Sequence, residues 1–437
     1  MPFIKLSNNM LNFLLKQRHL LLGLLIGTAA FINSMQVCFK KNQNGSIIYS
    51  DAEGYYLYLP SVFIYGNFED YTVRTYGNQL KPEGKIKNKY TCGVAILQAP
   101  FFILADRFVS QSNKYERNGH SDPYVVSILF AGAFYLGLGI FMLSKLLATR
   151  VSFTVSSIAL LCLFLGTNLF YYSAQRPGMS HVYSFFLFSA FVYSVHYFLK
   201  KPTIVCAGVM GLVLGLIIVV RPTNVMVGFI YFAYDITSWK DVKDRLFIFF
   251  NRPLLLLTLL VAMFLMFFPQ MLYWHEVWGG WISYSYKGES FIYWKNPKLY
   301  DVLFDKMNGW LLYSPIALFA LVGMPSLIKR DKFFGWTILG ILCVATYSFA
   351  SWWAWWFGGA FGHRCYVEFY ALLAFPMAYA FQRILKKGFI LRLSTGIIVA
   401  LLCYYNLALS DLYAYTAPWD GPDWTWASYW DKVERIF

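Results

Sequence analysis

The chain has 437 residues, of which 58% are hydrophobic, 20% aromatic and only 14% charged. A soluble globule carries about a quarter charged residues, so the composition excludes an ordinary soluble fold and points to a protein built for lipid. The formal charge of +15 does not indicate a nucleic-acid partner, because Lys and Arg gather at the ends of apolar runs, as cytoplasmic loops of membrane proteins require, and form no single basic stripe.

Lys5, Lys16 and Arg18 precede an apolar run that starts at Leu20. The residues after it, Phe31-Ile32-Asn33-Ser34-Met35-Gln36, offer no Ala-x-Ala-like cleavage site, so the run reads as an uncleaved first helix. Apolar runs of about 20 residues, the length that crosses a hydrocarbon core, recur from end to end. With no soluble domain between them, residues 1–437 read as one all-α integral membrane domain. Helices are expected near 20–36, 124–146, 151–172, 180–199, 203–220, 222–235, 253–274, 310–328, 333–350, 365–383 and 389–409, about eleven spans.

The stretch Gly93–Val109 is apolar but carries Asp106 and Arg107. If it spanned, Lys145, Arg150, Lys200, Lys201, Lys329, Arg330 and Lys332 would face outward. Laid along the interface as an amphipathic helix, it sends them all to the cytoplasm together with Lys240, Lys243, Arg245, Lys386 and Lys387. The positive-inside rule selects this second arrangement, with the N-terminus inside and the C-terminus outside. Four of the seven cysteines, Cys162, Cys206, Cys343 and Cys403, lie in apolar segments and read as inert thiols. Cys38 and Cys92 flank a polar loop and could pair on an oxidising face.

That topology gathers the unusual residues outside: the first loop 37–123, the turn Gln175-Arg176-Pro177-Gly178-Met179-Ser180-His181, the break Arg221-Pro222-Thr223-Asn224, the loop 275–309, the segment Trp352–Arg364 and the tail 410–437. Ionisable groups at mid-membrane, which ion-coupled transport needs, are scarce. In the first loop Asp51 and Glu53 stand at i and i+2 and point to different sides of a helix. They read either as functional carboxylates or as the charged first turn of an amphipathic helix running to about Tyr65. Asn88-Lys89-Tyr90-Thr91-Cys92-Gly93 begins a second interfacial helix.

Arg221-Pro222 interrupts a long apolar run, since proline cannot continue the helical ladder. Broken backbone at membrane depth is tolerated only against protein or a water-filled cavity, so Arg221 is expected to face a cavity, where its planar fork suits a phosphate. Arg176 shares that reading or snorkels to headgroups. In Trp352-Trp353-Ala354-Trp355-Trp356-Phe357-Gly358-Gly359-Ala360-Phe361-Gly362-His363-Arg364, interfacial tryptophans leave the three glycines and the His-Arg pair unexplained. Arg364 and Glu368, at i and i+4, are expected to share a helix face and to compete as a structural pair. The long loop 275–309 carries Trp278-Gly279-Gly280-Trp281 and Tyr284-Ser285-Tyr286-Lys287-Gly288-Glu289. Its length suits a lid, and its aromatics suit either a sugar ring or the membrane surface. The tail around Trp419-Asp420-Gly421-Pro422-Asp423-Trp424 reads as interfacial anchoring. No phosphate-binding loop, dinucleotide fingerprint or zinc spacing appears in the sequence.

In their order along the chain these pieces resemble the GT-C superfamily of polytopic glycosyltransferases, which use polyprenyl-phosphate-linked sugars. The match looks like the bacterial branch related to protein O-mannosyltransferases and the aminoarabinose transferase of lipid A. Asp51 takes the position of the family's first-loop catalytic Asp, with Tyr55 four residues on, although the usual adjacent Asp-Glu is here Asp51-Ala52-Glu53. The resemblance implies transfer of a glycosyl group, with inversion, from a polyprenyl-phosphate sugar to a hydroxyl of a glycan, lipid or protein at the extracytoplasmic face of a bacterial inner membrane. Asp51 would accept or orient the nucleophile's proton. Arg221 and Arg364, with His363, Arg176 and His181, would hold the donor phosphate. Glu53, Tyr55, Tyr58, Lys89, Tyr90, Lys287, Glu289 and Trp356 would line the acceptor and sugar positions. No cofactor is implied, although Asp51 and Glu53 could ligate a divalent ion. A lipid-linked-sugar flippase and a non-catalytic membrane scaffold are the competing readings.

Overall fold

The computed structural model describes residues 8–40, 47–73, 79–80, 84–286 and 288–437. Among the described residues the regular structure is helical apart from a two-residue antiparallel ladder, β1 (Gln79–Leu80) with β2 (Lys87–Asn88). The helices are α1 (Asn8–Met35), α2 (Asp51–Tyr56), α3 (Tyr58–Pro60), α4 (Gly93–Ser110), α5 (Asp122–Leu147), α6 (Phe153–Gly166), α7 (Ser180–Lys200), α8 (Ile204–Val220), α9 (Ile230–Ala233), α10 (Trp239–Phe250), α11 (Pro253–Trp278), α12 (Leu299–Phe304), α13 (Trp310–Tyr313), α14 (Leu318–Arg330), α15 (Lys332–Ser351), α16 (Tyr370–Ile384), α17 (Phe389–Thr416) and α18 (Trp426–Glu434).

Among the described residues seven helical stretches are long and apolar enough to cross a membrane: Leu15–Phe39, Gly93–Ser110, Asp122–Leu147, Ser180–Lys200, Pro253–Trp278, Lys332–Ser351 and Phe389–Thr416. The expected spans at 151–172, 203–220, 222–235, 310–328 and 365–383 are shorter or broken. The cause is local chemistry. Pro222 forces a 3-10 segment, Pro222–Phe229, Pro315 divides α13 from α14, and α16 begins only at Tyr370 after an irregular turn. Gly93–Ser110, expected to lie at an interface, forms one continuous helix. Cys38 and Cys92 are both buried, free thiols.

Helix boundaries follow capping chemistry. Ser152 and Thr203 cap α6 and α8 by accepting the Val155 and Cys206 N–H groups, which satisfies donors that a helix start leaves orphaned. Ser238 and Asp241 close a reciprocal capping box at α10. In the bundle, α5 packs between α1 and α7, α8 lies along α11, and α16 packs on α14 and α6. In α7, 83% of the apolar window is buried, against 17% in α11 and α17. The centre of the bundle is therefore α7 with α16, and the exposed faces of α11 and α17 are apolar, as contact with lipid demands.

One end of the bundle is tied by Arg150, in the α5–α6 turn. Its guanidinium reaches Asp331 at 2.6 Å and Asp235 at 3.1 Å, and lies 5.0–5.7 Å from the ring centroids of Tyr234, Phe334 and Phe375. Arg150→Ala leaves Asp331 buried without its cation, a change that typically costs about 3–5 kcal/mol. Thermal or SDS unfolding in detergent should show that loss, whereas Arg150→Lys should retain part of the stability.

Candidate functional site

The opposite end is where the unusual residues meet. The residue His181 at the start of α7 is separated from His196, beside Tyr234 at 3.1 Å, by roughly 22 Å of helix at 1.5 Å per residue. Around His181 converge α2, the segment before α4, the α8 terminus and the turn before α16.

Asp51 is the first residue of α2, with Ser50 as the N-cap residue. Its carboxylate does more than cap a helix. Oδ2 lies 2.8 Å from the Arg364 guanidinium, with side-chain exposures of 13% and 16%, and Oδ1 accepts the Tyr90 hydroxyl. Burial opposes ionisation of Asp51, but Arg364, the Tyr90 hydrogen bond and Lys89 outweigh it, so the carboxyl is held below its ordinary value. Burial and the adjacent Asp51 raise the Tyr90 hydroxyl well above its own. Tyr90 therefore stays neutral and donates to the carboxylate. Tyr55, one helical turn on from Asp51, packs its ring 4.7 Å from that of Tyr90.

Two residues on, Glu53 is fully buried and faces elsewhere, accepting the Tyr71 hydroxyl at 3.3 Å. The i, i+2 spacing predicted this divergence. It also means that the two carboxylates named as possible metal ligands engage different partners.

Glu368, the competing partner for Arg364 by i, i+4 spacing, pairs with Arg221 instead. Arg221 reaches Glu368 at 3.0 Å and the Cys365 thiol at 3.1 Å. Glu368 also receives His181 at 3.4 Å and Asn224 at 3.4 Å. The i, i+4 rule fails because Arg364–Tyr366 is a 3-10 turn. At about three residues per turn, positions four apart no longer lie on one face, so Arg364 and Glu368 diverge, one to Asp51 and the other to Arg221. Asn224, inside the 3-10 segment that Pro222 opens, joins Arg221 on the Glu368 carboxylate. Arg221 itself has the extended backbone, φ −153° and ψ 106°, that a residue preceding proline adopts.

Lys89 and Glu289, expected to contact substrate, pair with each other at 2.5 Å. Glu289 also accepts the Trp353 indole N–H at 3.1 Å, and Ser285 donates to the Lys89 carbonyl at 2.7 Å. The long loop is thereby latched to the first loop, with Lys89 Nζ 5.0 Å from the Tyr286 ring centroid. Burial raises the Tyr286 hydroxyl, and Tyr55 and Asp51 add to the shift, so Tyr286 is a neutral phenol facing the site. Lys287 lies outside the described residues.

Four other expected site residues engage further partners. His363 is fully buried among Phe349, Phe357 and Tyr366, with Nε2 3.1 Å from the Trp355 carbonyl. Burial, with Arg221 and Arg364 adding to it, lowers its pKa to about 3, and a neutral packed imidazole is no phosphate clamp. Tyr58 donates to the Tyr90 carbonyl at 2.6 Å and packs 4.9 Å from Tyr273. Arg176 Nε donates to the Tyr171 hydroxyl at 3.2 Å. Trp356 stacks edge-on to Trp355, and its carbonyl accepts from Asn308. The tail, expected at a membrane surface, instead buries Trp419 and Trp424.

The residues that the sequence reading missed are Cys365, Asn224, Tyr286 and Tyr172, together with Glu368 as the partner of Arg221. Tyr172 packs 4.8 Å from His181, and its hydroxyl accepts the Phe361 N–H at 3.2 Å. Glu368 had a signal: an ionisable side chain inside an expected span marks a functional site by default. Among the described residues no three His, Cys, Asp or Glu side chains group as a metal site.

No protein-family model matches the chain, and no curated protein does.

Because its pKa is depressed, Asp51 contributes stability that is fully present above the ordinary carboxylate value, about 3.9, and lost as pH falls through the lower folded value. The gap in unfolding free energy between wild type and Asp51→Asn should therefore stay constant above about pH 5 and close below about pH 4. A gap that widens on acidification would mean that Asp51 is protonated in the fold.

Proposed function

We propose that the protein is a membrane glycosyltransferase of GT-C type, moving a sugar from a polyprenyl-phosphate donor to an acceptor hydroxyl at the extracytoplasmic face. The observation that carries this reading is the buried meeting of a first-loop carboxylate, Asp51, with a late-segment arginine, Arg364, at 2.8 Å, beside a second arginine at a helix break. A scaffold has no need to bury such a pair, and the competing transport reading has no feature of its own among these contacts.

The acceptor oxygen attacks the anomeric carbon as the bond to the phosphate oxygen breaks, and the bonding pair leaves on the phosphate. The hydroxyl proton passes to Asp51. A carboxylate with a depressed pKa is a weak base, which suits a reaction whose bond-breaking runs ahead, because the attacking hydroxyl becomes strongly acidic only as its new bond forms. Arg221 and Arg364 offset charge growing on the phosphate. Both already hold carboxylates, but a guanidinium has five N–H donors, so each can serve a carboxylate and a phosphate together. Between the 3-10 segment that follows Arg221 and α15, an apolar groove of about 330 Å³ is lined by Met226, Phe229, Trp239, Phe333 and Val344 and reaches toward the Arg150 end of the bundle; its chemistry suits a hydrocarbon chain.

The proposed topology keeps α4 out of the count of crossings. Its second turn meets the first turn of α7 through Gln98 and Tyr183 at 2.9 Å. From there α4 runs back only along the first half of α5, from the Leu97 carbonyl on Tyr135 to Asp106 on Tyr124. With α4 at the interface, about eleven spans place the basic loops inside.

Asp51→Asn is isosteric and should lower turnover of radiolabelled polyprenyl-phosphate sugar by about 10²–10⁴-fold with donor binding retained. Near-normal turnover would remove Asp51 from the mechanism. Ser112→Cys in a cysteine-free background should react with an impermeant thiol reagent from the extracytoplasmic side. Labelling from the cytoplasmic side alone would invert the topology.

A further inference from the structure

The segment Phe357–Arg364 is difficult to hold in place. Phe357, Gly359 and Gly362 all have left-handed backbone, at φ 46°, 64° and 61°, and a bulky residue such as phenylalanine enters that region only at a cost. The tail supplies a restraint. Asp420 Oδ2 accepts the Gly359 N–H at 2.6 Å. A Cβ on Gly358 would sit 2.6 Å from the same oxygen, so only glycine there lets the carboxylate approach.

Asp420 is itself well anchored. The preceding Trp419 is 1% exposed, stacks on Trp424 at 5.4 Å and 12°, and abuts Tyr413 and Phe361. The Trp424 indole donates to the Lys306 carbonyl at 3.0 Å. From the other side Asn308 donates to the Trp356 carbonyl at 2.9 Å. Five residues beyond Gly359, Arg364 carries the ion pair to Asp51, and the following Cys365 is fully buried against Arg221.

We propose that the tail around Trp419–Trp424 is a clamp on the glycine-rich loop, and that Asp420 is a positioning residue that sets Arg364 against Asp51. Its catalytic consequence rests on the glycosyl-transfer reading, while its structural consequence does not. Asp420 touches neither Arg364 nor Asp51. It fixes the backbone from which Arg364 projects, and displacement of a reacting group by about 1 Å can cost on the order of a hundredfold in rate.

The test uses Cys365 as a built-in reporter. Purified full-length protein is treated with N-ethylmaleimide, and modified cysteines are identified by peptide mapping. Asp420→Ala should speed Cys365 labelling by at least about tenfold while buried Cys162 stays protected, and should lower turnover by about ten- to a hundredfold. Asp420→Asn keeps an acceptor oxygen and should restore most of both. Asp423→Ala, an exposed change on the same tail, should alter neither. The proposal is overturned if Asp420→Ala labels and turns over like wild type. Equal acceleration at Cys162 and Cys365 also overturns it, because the defect is then general unfolding. If wild type transfers no sugar from any polyprenyl-phosphate donor, the glycosyl-transfer reading fails, and the contrast between Cys365 and Cys162 still decides the clamp.

Discussion

The Asp51–Arg364 ion pair is the constraint on which the rest of the site depends. Taking two charges out of water costs several kcal/mol per ion, and their attraction offsets that only with good geometry and further hydrogen bonds. Here Tyr90 supplies the additional donor and Lys89 adds positive potential. Every element that touches these residues inherits the requirement. The α2 start must present Asp51 inward, the strand-like approach to α4 must carry Tyr90 and Lys89 across it, and the glycine-rich loop must return Arg364 from late in the chain.

A second network shares the same turn. Arg364 and Cys365 are adjacent, yet they face different partners, Asp51 and Arg221, because a tight 3-10 turn fans successive side chains apart. Cys365 and Glu368 hold Arg221, while Arg364 leaves for Asp51. Arg364 cannot be moved without disturbing the turn that carries Cys365 and Glu368, the partners of Arg221. An irregular segment, not a regular helix, begins at Arg364: four-residue spacing on an α-helix would have closed Arg364 onto Glu368 and taken from Asp51 and Arg221 the partners they have here. Lys89–Glu289 adds a third pair that fastens the long loop over the first. Among the described residues, Arg364, Arg221 and Lys89 are each paired with a carboxylate, Asp51, Glu368 and Glu289.

Much of the architecture was legible in the sequence. Apolar run length located most helices, Pro222 marked the break after Arg221, and the helical character of 51–65 followed from its composition, with Gly66 closing it at φ 71°. Asp51, Arg221, Arg364, His181, Lys89, Tyr90 and Glu289 were all named from chemistry and position. What the sequence could not supply was pairing. The Arg364–Glu368 expectation assumed α-helical spacing through a turn that is not α-helical. His363 read as a cation beside an arginine, whereas three aromatic rings around it make a charged imidazole too costly. The tail reads as an interfacial anchor from its tryptophans, and its packing on Phe361 and Tyr413 is what only the fold supplies. Contacts of this kind depend on which distant segments share a surface, which local composition does not encode.

The central claim is that Asp51 and Arg364 act as one buried unit, and a double-mutant cycle addresses it directly. Unfolding free energies of wild type, Asp51→Asn, Arg364→Gln and the double variant would be measured in one detergent at neutral pH. Coupled residues typically show interaction energies of about 0.5–3 kcal/mol. The account predicts a value in the upper half of that range, with the double variant more stable than the sum of the single losses allows. Strict additivity, within about 0.5 kcal/mol, would mean that the two side chains do not depend on each other and would contradict it.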